Sequence, residues 1–290
     1  MKFIQIFLVC TLTNCTVKTN LVTSNDQTIV EEEVRIDTPI NLVSSNIENK
    51  IISDSSKYCY SSCPDLDPQI NQLIYHNDFV LSYNIDTKYA DWVAYKIDKN
   101  KISGPTRKRI WKSDPQISKD LAIIPSDYKK AFITCNYDRG HQAPLADFSN
   151  SNYWEEVNYL SNITPQKADL NRGPWSKLET KIRLVNNNFK GNIYILTGTY
   201  YDGGYVCRLP YARINNTVPN GYWKIITLVN HNNVYRAFFK FEQETSKNDD
   251  FCKYKISPQQ LKKLLPYSLN INSNTENSRE ALNMLGCKNS

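Results

Sequence analysis

Tyr137-Asp138-Arg139-Gly140-His141-Gln142-Ala143-Pro144 places a histidine two residues after an arginine, across a glycine. In an extended strand alternate side chains point the same way, so Arg139 and His141 share a face. An imidazole can take up a proton near neutral pH, and a guanidinium beside it can offset negative charge. The pair therefore joins a candidate general base to a candidate anion-binding cation. His76, in a polar interruption before Phe79, and His231, in the turn-like His231-Asn232-Asn233, lack such company and are read as structural.

Downstream stand Asn162-Ile163-Thr164-Pro165-Gln166, then Asn171-Arg172-Gly173-Pro174-Trp175, then Leu178-Glu179. Trp175, Leu178, Ile182, Val185 and Phe189 recur at spacings of three and four, which predicts a helix with one apolar stripe. Proline lacks a backbone donor, so Pro174 belongs in the first turn and Asn171 at or just before the helix start. Asn171 and Glu179, eight residues apart, differ by a rotation of about 80° on a continuous helix and can border one site. Taken alone, Asn171 would be a helix cap, and Glu179 would pair with Arg183 one turn on.

Further out, Phe79 to Tyr83, Trp92 to Ile97, Ile193 to Thr199, Trp223 to Val229 and Val234 to Phe241 read as strands, rich in aromatic and β-branched residues. The last two flank His231-Asn232-Asn233 as a hairpin. A shorter helix is expected over Ser257 to Leu265, opened by Ser257 and Pro258 in cap and first-turn positions. The order is strands, a helix, then strands, without internal repeats, and the expected class is α+β.

The chain has 290 residues, 40% hydrophobic and 22% charged, enough to bury a core and unlike a disordered or fibrous composition. Its formal net charge of +6 permits polyanion binding without demanding it. Lys2 followed by the apolar Phe3 to Leu12 reads as an export leader over residues 1–15. Leu12-Thr13-Asn14-Cys15 resembles a lipobox, which makes a lipid anchor on Cys15 the alternative. No later segment is long enough to span a bilayer. Residues 16–57, rich in Asn, Ser and Thr, read as a flexible polar tether, and the folded domain is expected over 58–290.

Six cysteines follow the leader, at 59, 63, 135, 207, 252 and 287. An even number in an exported chain favours disulfides over metal ligation, and Cys59 to Cys63 has a CxxxC spacing with no matching second pair for zinc. Cys135 and Cys207, in apolar surroundings, also fit buried thiols.

The motifs from Arg107 to Glu179 resemble those of the DNA/RNA non-specific endonucleases of the ββα-metal (His-Me finger) class, Serratia-type secreted nucleases among them. The resemblance covers roughly Tyr58 to Cys287. It implies a central antiparallel sheet flanked by helices and the hydrolysis of phosphodiester bonds in DNA and RNA. It further implies His141 as general base, Asn171 as the one direct protein ligand of Mg²⁺, and Arg139 as a phosphate-binding cation. Asn162 would support the base and the metal shell, Glu179 would hold metal-bound water, and Arg109 would contact the phosphate or leaving group, with Arg107 as its competitor. Mn²⁺ would substitute for Mg²⁺, and a homodimer is the implied assembly.

The resemblance also pairs Cys59 with Cys63 and Cys252 with Cys287, leaving Cys135 and Cys207 as an extra pair or as thiols. One neutral amide can suffice as ligand because Mg²⁺ keeps most of its waters. A cation on the phosphate and the 3′ oxygen would give 5′-phosphate products. Secretion or delivery to the periplasm follows from the leader. The rival reading is a secreted nucleic-acid-binding homologue that lost catalysis or is restricted to one polymer, although every matching position is filled.

Overall fold

The structure, a computed structural model, describes residues 3–11, 14–22, 32–35, 57–231, 233–271 and 278–287. In the first unit the strands β1 (Phe3–Thr11), β2 (Asn14–Val22) and β3 (Glu32–Arg35) pair antiparallel in that order. The leader and tether readings also rest on residues 1–2, 12–13, 23–31 and 36–56, which lie outside the described residues.

The second unit is built on a six-stranded antiparallel sheet. Its strands are β4 (Asn71–Tyr75), β5 (Val80–Asn84), β6 (Ala90–Lys96), β9 (Asn192–Tyr200), β10 (Gly221–Asn230) and β11 (Asn233–Glu242), in the order β11-β10-β9-β6-β5-β4. Between β6 and β9 the chain leaves this sheet and forms a two-stranded ribbon of β7 (Tyr137–His141) and β8 (Ile163–Lys167). Besides one-turn helices such as Lys99–Ile102, the helices are α1 (Ala131–Cys135), α2 (Ser176–Asn188), α3 (Pro258–Leu264) and α4 (Arg279–Met284).

Both faces of the sheet are buried, which explains strands that read as nearly continuous apolar runs. Along β10, Tyr222, Ile226 and Leu228 enter one core while Trp223 and Ile225 enter the other. Along β6, Val93 and Tyr95 alternate in the same way with Trp92 and Ala94. The period of two thus sorts one strand's side chains between two layers. Trp175, Leu178 and Ile182 pack into the first core, with Val185 and Phe189 against its edge, so the apolar stripe seats α2 on the sheet. Ser257 caps α3: its hydroxyl accepts from Gln260 N at 3.1 Å while Gln260 Oε1 accepts from Ser257 N at 2.7 Å.

The strand and helix expectations hold to within a few residues. The continuous helix from Asn171 to Glu179 does not. A short turn at Ala168–Leu170 runs into Asn171, and the chain breaks at Gly173 (φ −108°, ψ −117°) before α2 begins. A Cβ on Gly173 would lie 2.5 Å from Lys247 O and 2.7 Å from Lys247 Cα, so only glycine lets these two backbones meet.

From Tyr58 onwards the six cysteines pair as Cys59–Cys63, Cys135–Cys207 and Cys252–Cys287. The thiol alternative for Cys135 and Cys207 is thereby overturned; the bond ties α1 to the loop after β9. Removing the fully buried Leu178 side chain by Leu178→Ala should cost about 2–5 kcal/mol in urea unfolding, because α2 loses its central contact and leaves a void. Leu184→Ala, at a side chain 54% exposed on the same helix, should cost less than about 0.5 kcal/mol. Equal losses would contradict this seating of the helix.

Candidate active site

A cavity of about 670 Å³ opens where β7, Trp111 and the first turns of α2 meet, and Arg109, Arg139, His141, Asn171 and Glu179 all line it. Arg139 and His141 reach it from one strand at alternate positions. Between them Gly140 is required by close approach, since a Cβ there would lie 2.6 Å from Gln166 Cβ on β8. The glycine keeps the ribbon tight and both functional side chains on the open face.

His141 Nε2 lies 3.2 Å from Asn158 Oδ1. A carbonyl oxygen only accepts, so Nε2 carries the proton and Nδ1 keeps the lone pair of a base. Burial pushes the His141 pKa down to about 4, and the Arg109 guanidinium adds to the fall against the hydrogen bond donated to Asn158. The imidazole is therefore neutral at ordinary pH. Trp111 packs beside it with ring centroids 5.3 Å apart. The Arg139 guanidinium lies 5.6 Å from the Trp111 ring and 5.0 Å from the Tyr128 ring, and its Nη2 donates to Pro125 O at 3.1 Å. These contacts hold it at the cavity wall.

Asp138, beside Arg139, orients the opposite wall. Its carboxylate accepts from Asn171 Nδ2 at 2.8 Å, and from Arg172 Nε at 2.8 Å and Nη2 at 2.6 Å. A carboxylate cannot donate, so the Asn171 amide must turn its NH₂ to Asp138, which leaves Oδ1 as the end free to meet the cavity. This bond ties Asn171 to β7, and Asn171 and Glu179 line one cavity across the kink.

Under the floor of the cavity lies a charged cluster. Arg183 Nη1 donates to Asp147 Oδ1 at 2.9 Å and Tyr95 Oη donates to Asp147 Oδ2 at 3.1 Å. Arg183 Nη2 donates to Thr180, so the expected Glu179–Arg183 pair is replaced by Arg183–Asp147. Lys224, fully buried on β10, lies with its Nζ 4.2 Å from the Trp175 ring centroid. Burial raises the Glu179 pKa, opposed by Lys224 and reinforced by Asp147. Burial lowers that of Lys224, opposed by the same two carboxylates.

Two candidates are reassigned. Asn162 does not reach the cavity: fully buried, it accepts from Ala143 N at 2.9 Å and donates to Ala143 O and Val157 O, each at 2.9 Å. It fixes the backbone at Ala143, two residues after His141, and at Val157, beside Asn158. Arg107 is held elsewhere, its Nε donating to Ser149 O at 2.7 Å and its guanidinium 5.0 Å from the Trp154 ring, so Arg109 faces the cavity. Asn158, Asp147 and Lys224 went unnoticed in the sequence. Only Lys224 leaves a trace there, as a charge in the inward-facing row Tyr222, Ile226, Leu228.

A neutral imidazole, two arginines and a constrained amide around one cavity, on a two-stranded ribbon followed by a helix, define a nuclease of the ββα-metal type. The chain belongs to the DNA/RNA non-specific endonuclease family, whose model matches residues 64–278. It is 39% identical over 213 residues to the nuclease of Serratia marcescens, covering 72% of this chain and 79% of that one. It is 27% identical over 224 residues to a nuclease of a Nostoc species, covering 73% and 78%. A chain of the solved EndoG/EndoGI complex shares the fold with a TM-score of 0.63 at 22% identity, covering 82% of this chain and 95% of that chain.

The titration of His141 tests this geometry. Its ring resonances should shift with a midpoint near pH 4, not near the ordinary 6.5. Because the folded pKa is the lower one, the unfolded chain binds this proton more readily. The stability it contributes is complete above pH 6.5 and is lost as pH falls towards about 4. A midpoint at 6.5 would mean that the ring is solvated and not held as described.

Proposed function

We propose that this chain is an exported, Mg²⁺-dependent endonuclease that hydrolyses phosphodiester bonds in DNA and RNA without regard to sugar or sequence, leaving 5′-phosphates. The observation that carries this reading is the Asp138–Asn171 hydrogen bond, which leaves the Asn171 amide oxygen free at the cavity that His141 also lines.

The residues fit a hard, mostly hydrated cation. Among the described residues no three His, Cys, Asp or Glu side chains gather into a metal cage, which suits an ion that keeps most of its waters. Asn171 Oδ1 would hold it directly. Glu179 Oε1, buried without a partner, would accept from a water of its shell. When bound, Mg²⁺ supplies electrostatic stabilisation of charge on the phosphate and on the departing 3′ oxygen. Mn²⁺ can serve in its place.

The chain's own groups do the rest. His141 Nδ1 takes the proton of the attacking water, and Nε2–H stays on Asn158. Arg139 and Arg109 receive the non-bridging oxygens. Arg183 and Lys224, below, keep carboxylates in a cavity that must accept a polyanion. Phosphate contacts are common to DNA and RNA and carry no base information, which is why recognition through them is indifferent to sequence. Export through residues 1–15, a lipid anchor on Cys15 as the alternative end, and assembly as a homodimer belong to the same proposal; they are supported by the leader pattern and by the family.

Supercoiled plasmid and ribosomal RNA should both be degraded in Mg²⁺, with 5′-phosphate ends, and both should survive in EDTA. His141→Ala should slow cleavage by at least ~10²-fold, and raising the salt should slow the unaltered enzyme. Survival of both polymers in Mg²⁺ would refute the reading.

A further inference from the structure

Beside the cavity, α1 and the loop that follows β9 leave four large side chains in the open: Phe132 at 49%, Ile133 at 83%, Tyr205 at 94% and Tyr211 at 49% exposed. They are gathered rather than scattered. Lys129 Nζ and Lys130 Nζ lie 5.6 and 5.5 Å from the Tyr211 ring centroid, so Tyr211 stands against the residues that open α1. The Cys135–Cys207 disulfide ties the end of α1 to the loop two residues after Tyr205. Phe132 lines the cavity itself, with the Arg172 guanidinium 5.0 Å from its ring centroid.

Rings interleaved with cations combine the two chemistries that an unpaired nucleic-acid strand requires: faces for its bases and positive charge for its backbone. A duplex has its bases already stacked and offers only the charge contact. We infer that this face is a stacking platform for the unpaired strand where it leaves the cavity, with single-stranded DNA and RNA as its ligands; the inference rests on the endonuclease reading of that cavity. Charge decides the occupant. Lys129 and Lys130 stand against the Tyr211 ring, and a second copy meeting this face by two-fold symmetry would set these like charges against like. A polyanionic strand neutralises them.

The ligand here is the strand itself, not the phosphate diester that the cavity would take. The disulfide gives the platform its rigidity, because a five-residue helix and a long loop could not otherwise hold rings at a fixed spacing. Stacking on a fixed ring avoids the ordering cost that a free loop would add to binding.

The test uses the full-length chain in EDTA, where nothing is cut, and fluorescence anisotropy of a short oligonucleotide, unpaired or as the same sequence in a blunt duplex. Ile133→Ala combined with Tyr211→Ala should weaken binding of the unpaired strand by at least about fivefold, the loss of one stacked base, and leave the duplex within twofold. Tyr211→Trp alone should keep the affinity for the unpaired strand. Equal loss on both forms, or no loss on either, overturns the platform. A change in sedimentation with unchanged strand binding assigns the patch to self-association and overturns it too. Hydrolysis of bis(p-nitrophenyl) phosphate by the unaltered chain in Mg²⁺ reports on the cavity separately. If that fails, the endonuclease reading falls while the titrations in EDTA still decide the platform.

Discussion

The carboxylate of Asp138 is the joint of this molecule. It sits on β7 beside Arg139, and it binds both Asn171 and Arg172 on the turn that leads into α2. A strand and the turn into a helix are thus locked at the point where His141 and the Asn171 amide line one cavity. A charged acceptor with three donors makes a stronger joint than a single neutral hydrogen bond, and the paired guanidinium offsets the charge. Everything else in the site is arranged around this fixed separation.

The rest of the body keeps that joint in place. Trp175, Leu178 and Ile182 seat α2 on the sheet, and Gly173 lets the chain bend past Lys247 just before it. Beneath the helix, Asp147, Arg183, Glu179 and Lys224 alternate in sign. Each would be costly to bury alone; together they compensate one another and give the floor of the cavity a set of charges fixed before substrate arrives. Asn158 and Asn162 act on the other side, one through the imidazole and the other through the backbone that carries it.

Much of this was legible in the sequence because it depends on local period. The apolar stripe of α2, the alternation of the sheet strands and the Arg139-Gly140-His141 spacing are written in neighbouring residues, and the structure keeps all three. What escaped depends on tertiary approach. The kink at Gly173 is set by the backbone of residue 247, so a continuous helix was the natural but wrong reading of Asn171 to Glu179. Arg183 looked like the helix partner of Glu179 until Asp147, on another segment, came nearer. Asn162 is part of the motif yet works through the main chain. Arg107 and Arg109 differ only in which one the fold turns to the cavity. The Cys135–Cys207 bond joins positions 72 residues apart, which no local pattern relates.

The site centres on the Asn171 amide, whose NH₂ Asp138 holds. Crystals soaked in Mn²⁺ test it directly through anomalous scattering. A single peak about 2.1 Å from Asn171 Oδ1, with water and no other protein atom around it, is the predicted result. A peak bound by His141 or directly by the Glu179 carboxylate, or none near Asn171, would contradict it.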